Sequence, residues 1–315
     1  MTSVEPAERS FDVVVVGELN VDLILRGEVT PEYGQVEKLL DDAALVLGSS
    51  SAIFACGCAR LGLRVAFIGK VGDDTFGRVV KDELVARGID VSAVMTDPTI
   101  KTGISVILAR TGDRAILTYL GSISALRYEE IDLDLLARGR HMHAGAYFLL
   151  DALRPDLPKL CDFARAQGLT VSLDTNYDPS ERWDVSEILR HVDIYLPNET
   201  ELRAIAGIHD VPAALDQLAR SVPTVAVKLG AAGALAGRGP ERAQTAALDV
   251  AVVDTTGAGD SFDAGFVYAW LAGWKLPEAL RLGVVCGSLS TTAAGGTAGQ
   301  ATLDEAMRAL PRLNR

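Results

Sequence analysis

Residues 248–273 read LDVAVVDTTGAGDSFDAGFVYAWLAG, and this stretch joins three patterns that together indicate an α/β protein. An apolar run that ends at Val253 is typical of a buried strand, Gly257-Ala258-Gly259 indicates a tight turn, and an apolar helix is predicted from about Asp260. A glycine turn lets the backbone approach a ligand closely, and the first amides of a helix point into the same space. The stretch therefore predicts an anion pocket at the start of a helix.

The rest of the chain alternates between short β-branched runs and helical patterns. The runs include FDVVVVGEL, VAFIGKV, TVSLD, DIYLPN and TVAVKLG, with helical stretches such as DTFGRVVKDELVARG and DLPKLCDFARAQG between them. Apolar strands separated by amphipathic helices predict a mostly parallel sheet that helices cover on both faces. Because no Pro/Gly/Ser-rich linker interrupts the pattern, we expect one domain over residues 11–310 and a loose tail over residues 1–10.

Two segments break this alternation, at about residues 21–47 and 100–121. Both have a strand-like pattern without a helix, with turn residues at Gly34 and at Thr111-Gly112-Asp113. Hairpins inserted into an α/β core often form a flap over a ligand crevice, so both segments predict a β-sheet lid. Extra edge strands on the main sheet are the alternative.

Charge and cysteine content restrict the class of partner. The formal net charge is -12 and the pI is near 4.8, which disfavours nucleic-acid binding because that requires clustered Lys and Arg. Backbone amides and a magnesium ion still allow an acidic protein to bind a polyphosphate. Four cysteines without metal-ligand spacing, no apolar leader and no membrane-length run predict a cytoplasmic protein without a membrane partner.

Asp260 is the candidate catalytic residue. A carboxylate at the helix start can accept the proton of a substrate hydroxyl as its oxygen attacks phosphorus, and phosphoryl transfer needs little more than positioned groups and neutralised charge. A helix cap beside a glycine turn is the non-catalytic alternative. The turn is not a Walker A loop, because the chain contains no GxxxxGK[ST], and Phe262 interrupts a GxGxxG pattern.

The motif DTTGAGDSFDAGF closely resembles the C-terminal signature of the PfkB, or ribokinase-like, carbohydrate kinases. Residues 48–77, GSSSAIFACGCARLGLRVAFIGKVGDDTFG, resemble their N-terminal signature, and the resemblance extends from about Phe11 to the C-terminal helix. It implies a ribokinase-like three-layer sandwich with a mostly parallel central sheet and a small β-sheet lid. It also implies an ATP-dependent kinase, a homodimer formed through the lid, and a site in which Asp260 is the base and Gly257, Ala258 and Gly259 form the anion hole.

The same resemblance assigns the cofactor contacts. Asn198-Glu199-Thr200-Glu201 looks like the family's NxxE motif, in which Asn198 and Glu201 hold Mg²⁺ through water, although a helix cap explains the residues equally well. Asp254 matches a position that helps to bind a monovalent cation, usually K⁺, or it caps the turn. Lys228 begins KLGAAG, which resembles the nucleotide loop, but it stands where a small hydroxyl residue is expected. The implied ATP contacts are Lys228, Gly230, Gly233, Thr256, Gly257 and Gly259.

GELNVD, residues 17–22, resembles the family's sugar-binding segment. Asn20 and Asp22 alternate on one face of an extended chain, so both can reach one ligand as donor and acceptor; an Asx turn is the alternative. Gly48 and Ser49 stand where relatives often have two glycines that face the sugar. Together with Asp260, these residues form the predicted acceptor site.

Two departures from the family pattern bear on the acceptor. Ile53 replaces an Asn that contacts a hydroxyl in many sugar-specific members. Asp178 ends DTNYD where relatives frequently read DxNxR, and no compensating basic cluster is visible in the sequence. We therefore predict a small neutral sugar or polyol as the acceptor.

Three other functions are alternatives to a sugar kinase. A nucleoside kinase and a catalytically idle sugar or nucleoside sensor are both compatible with the same fold. A serine hydrolase with Ser50 as nucleophile, in the pattern GSSSA, lacks a histidine late in the chain, since the last one is His209.

Overall fold

The computed structural model describes residues 9–110 and 113–314, and every structural statement below refers to these residues. Most of the predicted tail at residues 1–10 lies outside the described residues, as do Thr111 and Gly112 of the predicted lid turn. No helix in these ranges has both the length and the apolar character needed to cross a bilayer.

Thirteen strands and nine α-helices occur in the described ranges. The strands are β1 (Phe11–Val16), β2 (Asn20–Arg26), β3 (Asp42–Leu47), β4 (Val65–Gly72), β5 (Asp90–Asp97), β6 (Gly103–Arg110), β7 (Asp113–Tyr119), β8 (Gly139–Ala144), β9 (Thr170–Leu173), β10 (Ile194–Tyr195), β11 (Thr224–Lys228), β12 (Ala234–Arg238) and β13 (Glu241–Thr245). The helices are α1 (Ser50–Arg60), α2 (Thr75–Ala86), α3 (Leu133–Ala137), α4 (Leu157–Ala166), α5 (Glu199–Ala206), α6 (Val211–Leu218), α7 (Ala258–Leu271), α8 (Leu276–Ser290) and α9 (Leu303–Ala309).

The main sheet has the order β13-β12-β11-β10-β9-β8-β1-β4-β5. In this order, the neighbouring strands of the run β11-β10-β9-β8-β1-β4-β5 all pair in parallel. Strands β12 and β13 extend the sheet beyond β11 as an antiparallel hairpin. Val13 and Val15 of β1 pack into the core beneath α1, α2, α7 and α8, whereas Val14 and Val16 pack into the core beneath α4, α5 and α6. This alternation produces the predicted three layers, because each strand supplies side chains to both faces.

The four strands from the two inserted segments form a separate sheet of order β3-β2-β6-β7, which we call the lid sheet. Pairing of β2 with β6 is parallel, and the outer pairs, β2 with β3 and β6 with β7, are antiparallel. The prediction of a small second sheet is therefore confirmed, and the alternative of extra edge strands on the main sheet is wrong.

The predicted buried strand that ends at Val253 is also wrong. Residues 246–257 contain no strand, and Val252 and Val253 are 62% and 63% exposed. No strand pairs with this segment, and the amides of Val253 and Asp254 instead donate to the carbonyl of Thr291. The helix itself is confirmed, and it begins at Ala258.

Candidate active site

The start of α7 has the backbone shape that the glycine turn predicted. Gly257 is the N-cap residue with φ 71, and a Cβ there would lie 2.8 Å from Gly296 and from Ile53, so only glycine fits. The amides of Gly259 and Asp260 lie in the first turn, where a helix offers no internal acceptor. The amide of Ala258 instead donates to the carbonyl of Thr255 at 3.3 Å.

Asp260 is buried at the inner end of a large cavity, where its carboxylate accepts a hydrogen bond from the hydroxyl of Ser50. Asn176 in turn donates from Nδ2 to that hydroxyl at 2.9 Å. Burial and the neighbouring Asp174 raise the pKa of Asp260 to about 7, against the opposing effects of Ser50 and Lys228. A carboxyl group with this pKa can exchange a proton near neutral pH, as a general base must.

A cluster of buried charges lies directly behind Asp260. The carboxylates of Asp174, Asp260 and Asp263 each offer an oxygen within 4.8 Å of the others. The ammonium of Lys228 lies 2.7 Å from Asp174 and 3.1 Å from Asp263. Lys228 stays a predicted ATP contact. Because the charged end of its side chain points inward to these carboxylates, a contact with ATP would come from its backbone.

The loop after β11 contains two glycines in backbone conformations that other residues rarely adopt, and their contacts with ATP stay predictions. Gly230 and Gly233 have φ 57 and φ 95, and a Cβ on Gly233 would lie 2.0 Å from the carbonyl oxygen of Thr245. Thr256, another predicted ATP contact, accepts a hydrogen bond from Arg114 of β7 at 2.9 Å, which connects the lid sheet to the turn before α7.

Asn198 and Glu201 form the capping box that was the alternative to a magnesium site. The side chain of Asn198 accepts from the amide of Glu201 at 3.0 Å, and Glu201 accepts from the amide of Asn198 at 2.9 Å. Burial and the charge of Asp174 raise the pKa of Glu201 to about 7, so a nearby cation would favour its ionised form. Lone pairs remain on the carboxylate oxygens, and the pair therefore fits a magnesium ion held through water.

Asp254 has the partners of a turn cap. Oδ1 accepts from the amide and hydroxyl of Thr256 at 2.9 and 2.8 Å, and Oδ2 accepts from the amide of Gly295 at 2.9 Å. These hydrogen bonds satisfy both carboxylate oxygens of Asp254 without a metal ion. The role of Asp254 in binding potassium stays a prediction.

The cavity has a volume of about 800 Å³ and lies between the lid sheet and the carboxyl ends of the parallel strands. Asn20 and Asp22 both line it, and Asn20 donates to Asp22 at 2.9 Å. A Cβ on Gly48 would lie 2.1 Å from Oδ1 of Asp22, so a larger residue there would displace the Asp22 carboxylate. Ser49 also lines the cavity, but its hydroxyl donates to the backbone carbonyl of Glu18 and caps α1. The predicted acceptor residues are thus brought together.

Sequence reasoning missed several cavity residues. Glu18 is buried beneath Ser49 and Ser51, and burial raises its pKa; its position beside Asn20 was the available signal. The sequence indicates Ser50 only as a candidate nucleophile in GSSSA and contains Asn176 only within the motif DTNYD. The other missed residues are Arg114, Arg154 and Arg182, which line the cavity from distant parts of the chain and gave no local signal. The premise that no basic cluster exists is therefore wrong.

The partners of Ser50 contradict the serine-hydrolase alternative. Its hydroxyl donates to Asp260 and accepts from Asn176, and neither is a general base of the histidine type. His141 and His143 are buried and hydrogen-bonded to hydroxyl groups of β9, and burial lowers the pKa of each to about 3.

Known proteins share both the sequence pattern and the fold. A family model described as pfkB family carbohydrate kinase matches residues 10–303. An uncharacterized sugar kinase of Archaeoglobus fulgidus is 32% identical over 72% of this chain and 91% of its own, and a fructokinase of Klebsiella pneumoniae is 31% identical over 94% and 98%. A solved protein from E. coli, designated Ribokinase II and in complex with ATP and Mg²⁺, is 25% identical with a TM-score of 0.83, over 96% of this chain and 99% of its own.

Proposed function

The chain belongs to the pfkB family of carbohydrate kinases, and from this premise we propose that it moves the γ-phosphate of ATP onto a hydroxyl of a small neutral sugar or polyol, with Asp260 as the base. Membership in the family makes the protein an ATP-dependent sugar kinase, a phosphotransferase with an alcohol group as acceptor. The acceptor, the catalytic residues and the mechanism belong to the proposal.

The observation that supports the mechanism is the position of Asp260 beside the first amides of α7, facing the cavity. An acceptor hydroxyl held by Asn20 and Asp22 would lose its proton to Asp260 as its oxygen attacks the γ-phosphorus and the bond from that phosphorus to ADP breaks. The predicted anion hole at Gly257, Ala258 and Gly259, together with the amide of Asp260, would stabilise the charge on the transferring group. Ser50 holds the carboxylate in place. Magnesium, when bound through Asn198 and Glu201, supplies positive charge at the phosphates.

The neutral acceptor is supported by the existing partners of the cavity cations. Arg154 lies 3.2 Å from Asp151 and donates to the carbonyl of Phe148, and Arg114 donates to Thr256. The presence of Arg114, Arg154 and Arg182 in the cavity lining favours a second candidate, an acceptor that carries a carboxylate or phosphate in addition to its reacting hydroxyl. A sugar would still present its reacting hydroxyl to the base in either case.

A coupled assay of ADP formation over a panel of acceptors tests the proposal. Pentoses, hexoses and polyols represent neutral acceptors, sugar phosphates and keto-sugar acids represent anionic ones, and nucleosides represent the remaining alternative. We expect the highest kcat/KM for a neutral sugar or polyol. A strong preference for an anionic acceptor or a nucleoside would refute the proposal of a neutral acceptor. ATP binding with no turnover on any acceptor would indicate an idle sensor.

A homodimer through the lid sheet is also part of the proposal. An apolar row crosses the sheet through Leu45, Leu23, Val106 and Leu117, on the face opposite Asp22, and Leu45 and Leu117 are 44% and 60% exposed. A second copy would bury this row.

The potassium requirement and the cytoplasmic location remain predictions. The effect of K⁺ on kcat tests the potassium requirement.

A further inference from the structure

Lys228 is a buried ammonium that the proposed mechanism does not use. Its side chain is 12% exposed, and its partners Asp174 and Asp263 are 3% and 1% exposed. A Cβ on Gly259 would lie 3.5 Å from Nζ of Lys228, so the charge lies directly beneath the first turn of α7. The carboxylates of Asp174, Asp260 and Asp263 would suit a metal ion, but the lysine ammonium already supplies a cation to two of them.

Hydrogen bonds connect Lys228 to the proposed base through a second route. Asp174 accepts from Lys228 through Oδ2 and from the amide of Asn176 through Oδ1 at 3.1 Å. Asn176 then donates to Ser50, which donates to Asp260. The ion pair therefore also fixes the loop that holds Ser50 against the carboxylate.

The charges of the cluster balance only when the ammonium is present. Lys228 lowers the pKa of Asp174 despite burial, whereas burial raises the pKa of Asp263 well above its ordinary value. Burial opposes the charge on Lys228, but Asp174 and Asp263 raise its pKa above the ordinary value. The groups that face Asp260 from the surrounding elements are Glu18, Ser50, Asp174, Glu201, Lys228 and Asp263, with Asp22 and Arg114 across the cavity.

We propose that Lys228 is a positioning residue whose ammonium offsets the charge of Asp174, so that the carboxylate of Asp260 can ionise at neutral pH and stays fixed by Ser50 and Asn176. This inference deepens the proposed function, because it concerns the same base. Its physical basis is that an opposite charge favours, and an unbalanced like charge disfavours, ionisation of a buried carboxyl group.

The test is a pH titration of the Asp260 carboxyl by ¹³C NMR, in protein labelled at aspartate, with the signal identified by its absence in Asp260→Asn. Lys228→Met removes the charge and keeps the length of the side chain. We expect the midpoint to rise by about one to three pH units, the range of a nearby charge. The double variant Lys228→Met/Asp174→Asn, which removes both charges and keeps an oxygen for Asn176, should return the midpoint to within about half a unit of wild type.

Lys70→Met is the matched control. Lys70 is also a buried lysine paired with a carboxylate, Glu130 at 2.6 Å, and does not line the cavity. Its loss should lower stability without moving the Asp260 midpoint. An unchanged midpoint in Lys228→Met would overturn the proposal. If that variant does not fold, the double variant decides: a midpoint near wild type supports charge compensation, and a rise of about one unit or more contradicts it.

Turnover separates this inference from the proposed function. If Asp260 is the base, kcat/KM should rise with pH through the NMR midpoint in wild type and move with it in Lys228→Met. A shifted midpoint without a matching shift in kcat/KM would leave the role of Lys228 intact and contradict the role of Asp260 as base.

Discussion

The two walls of the cavity differ in how their polar groups are satisfied. On the main-sheet side, Asp260 lines the cavity and accepts a hydrogen bond from Ser50, and Asp174 and Asp263 lie behind it, paired with Lys228. On the lid side, Ser105, Arg114 and Thr118 are partly or largely exposed along the cavity, and the opposite face of the sheet is apolar. The proposed catalytic chemistry therefore lies on the more buried wall, and the proposed acceptor recognition lies on the wall that joins the core through only a few connections.

Replacing Asp260 should have the largest effect. Asp260→Asn removes the proposed base and keeps the amides of α7, so kcat should fall about 10²- to 10⁴-fold while ATP affinity changes little. Steady-state kinetics and calorimetric titration of ATP measure the two quantities. Asp304→Asn, in the first turn of α9, is the matched control and should keep full turnover. Normal turnover of Asp260→Asn would contradict its role.

Replacing Asp22 tests the lid wall and should have a smaller effect, mainly on acceptor binding. Asp22→Asn removes a charged hydrogen-bond acceptor, which corresponds to a rise in acceptor KM of about 10- to 100-fold with kcat within a few-fold. Asp42→Asn on β3, an exposed residue paired with Arg26, is the control. A fall in kcat as large as that of Asp260→Asn would mean that the two walls do not divide the work.

The pH dependence of stability tests the buried wall without any substrate. The pKa of Asp260 is about 7 in the folded protein against 3.8 unfolded, so the folded state holds its proton more tightly and loses stability as pH rises between these values. Between pH 5 and pH 8, wild type should lose about 3 kcal/mol of unfolding free energy relative to Asp260→Asn. Urea unfolding of both proteins measures this difference, and parallel pH profiles would contradict the raised pKa.

Changing the apolar face of the lid sheet should have the smallest effect on catalysis. Leu117→Arg places a charge in the proposed dimer interface, so we expect monomers in sedimentation velocity and kcat within about threefold of wild type. Met307→Arg is the control, because Met307 is 44% exposed on α9, far along the chain from the lid segments. A wild-type monomer would rule out the interface.

Much of the buried wall was predictable from sequence because its backbone chemistry is local. Gly257, Asp260 and the helix start lie in one short motif, so residue type and spacing sufficed. On the lid wall, Asn20 and Asp22 were predictable for the same reason, because they lie on one strand. Their catalytic and binding roles stay predictions. The separate lid sheet was predictable because two segments lack helices, and its topology confirmed that expectation.

The missed features depend on contacts between distant segments. Lys228 and Asp174 are 54 residues apart in the chain, and Ser50 and Asp260 are 210 apart, so no local pattern links them. The strand predicted before Asp254 failed for a similar reason, since an apolar, β-branched run forms a strand only where packing and pairing in the folded protein favour it. The sequence leaves open which segments pair in the sheet.

The chain path between the two walls bears on how fast the enzyme can turn over. Only Gly17, Glu18 and Leu19 separate β1 from β2, and Gly48 and Ser49 alone separate β3 from α1. The residues proposed to hold the acceptor therefore lie on the lid or at its attachment points, so lifting the sheet also withdraws them from the product. We expect product release to be tied to that movement, which makes the viscosity dependence of kcat an informative measurement.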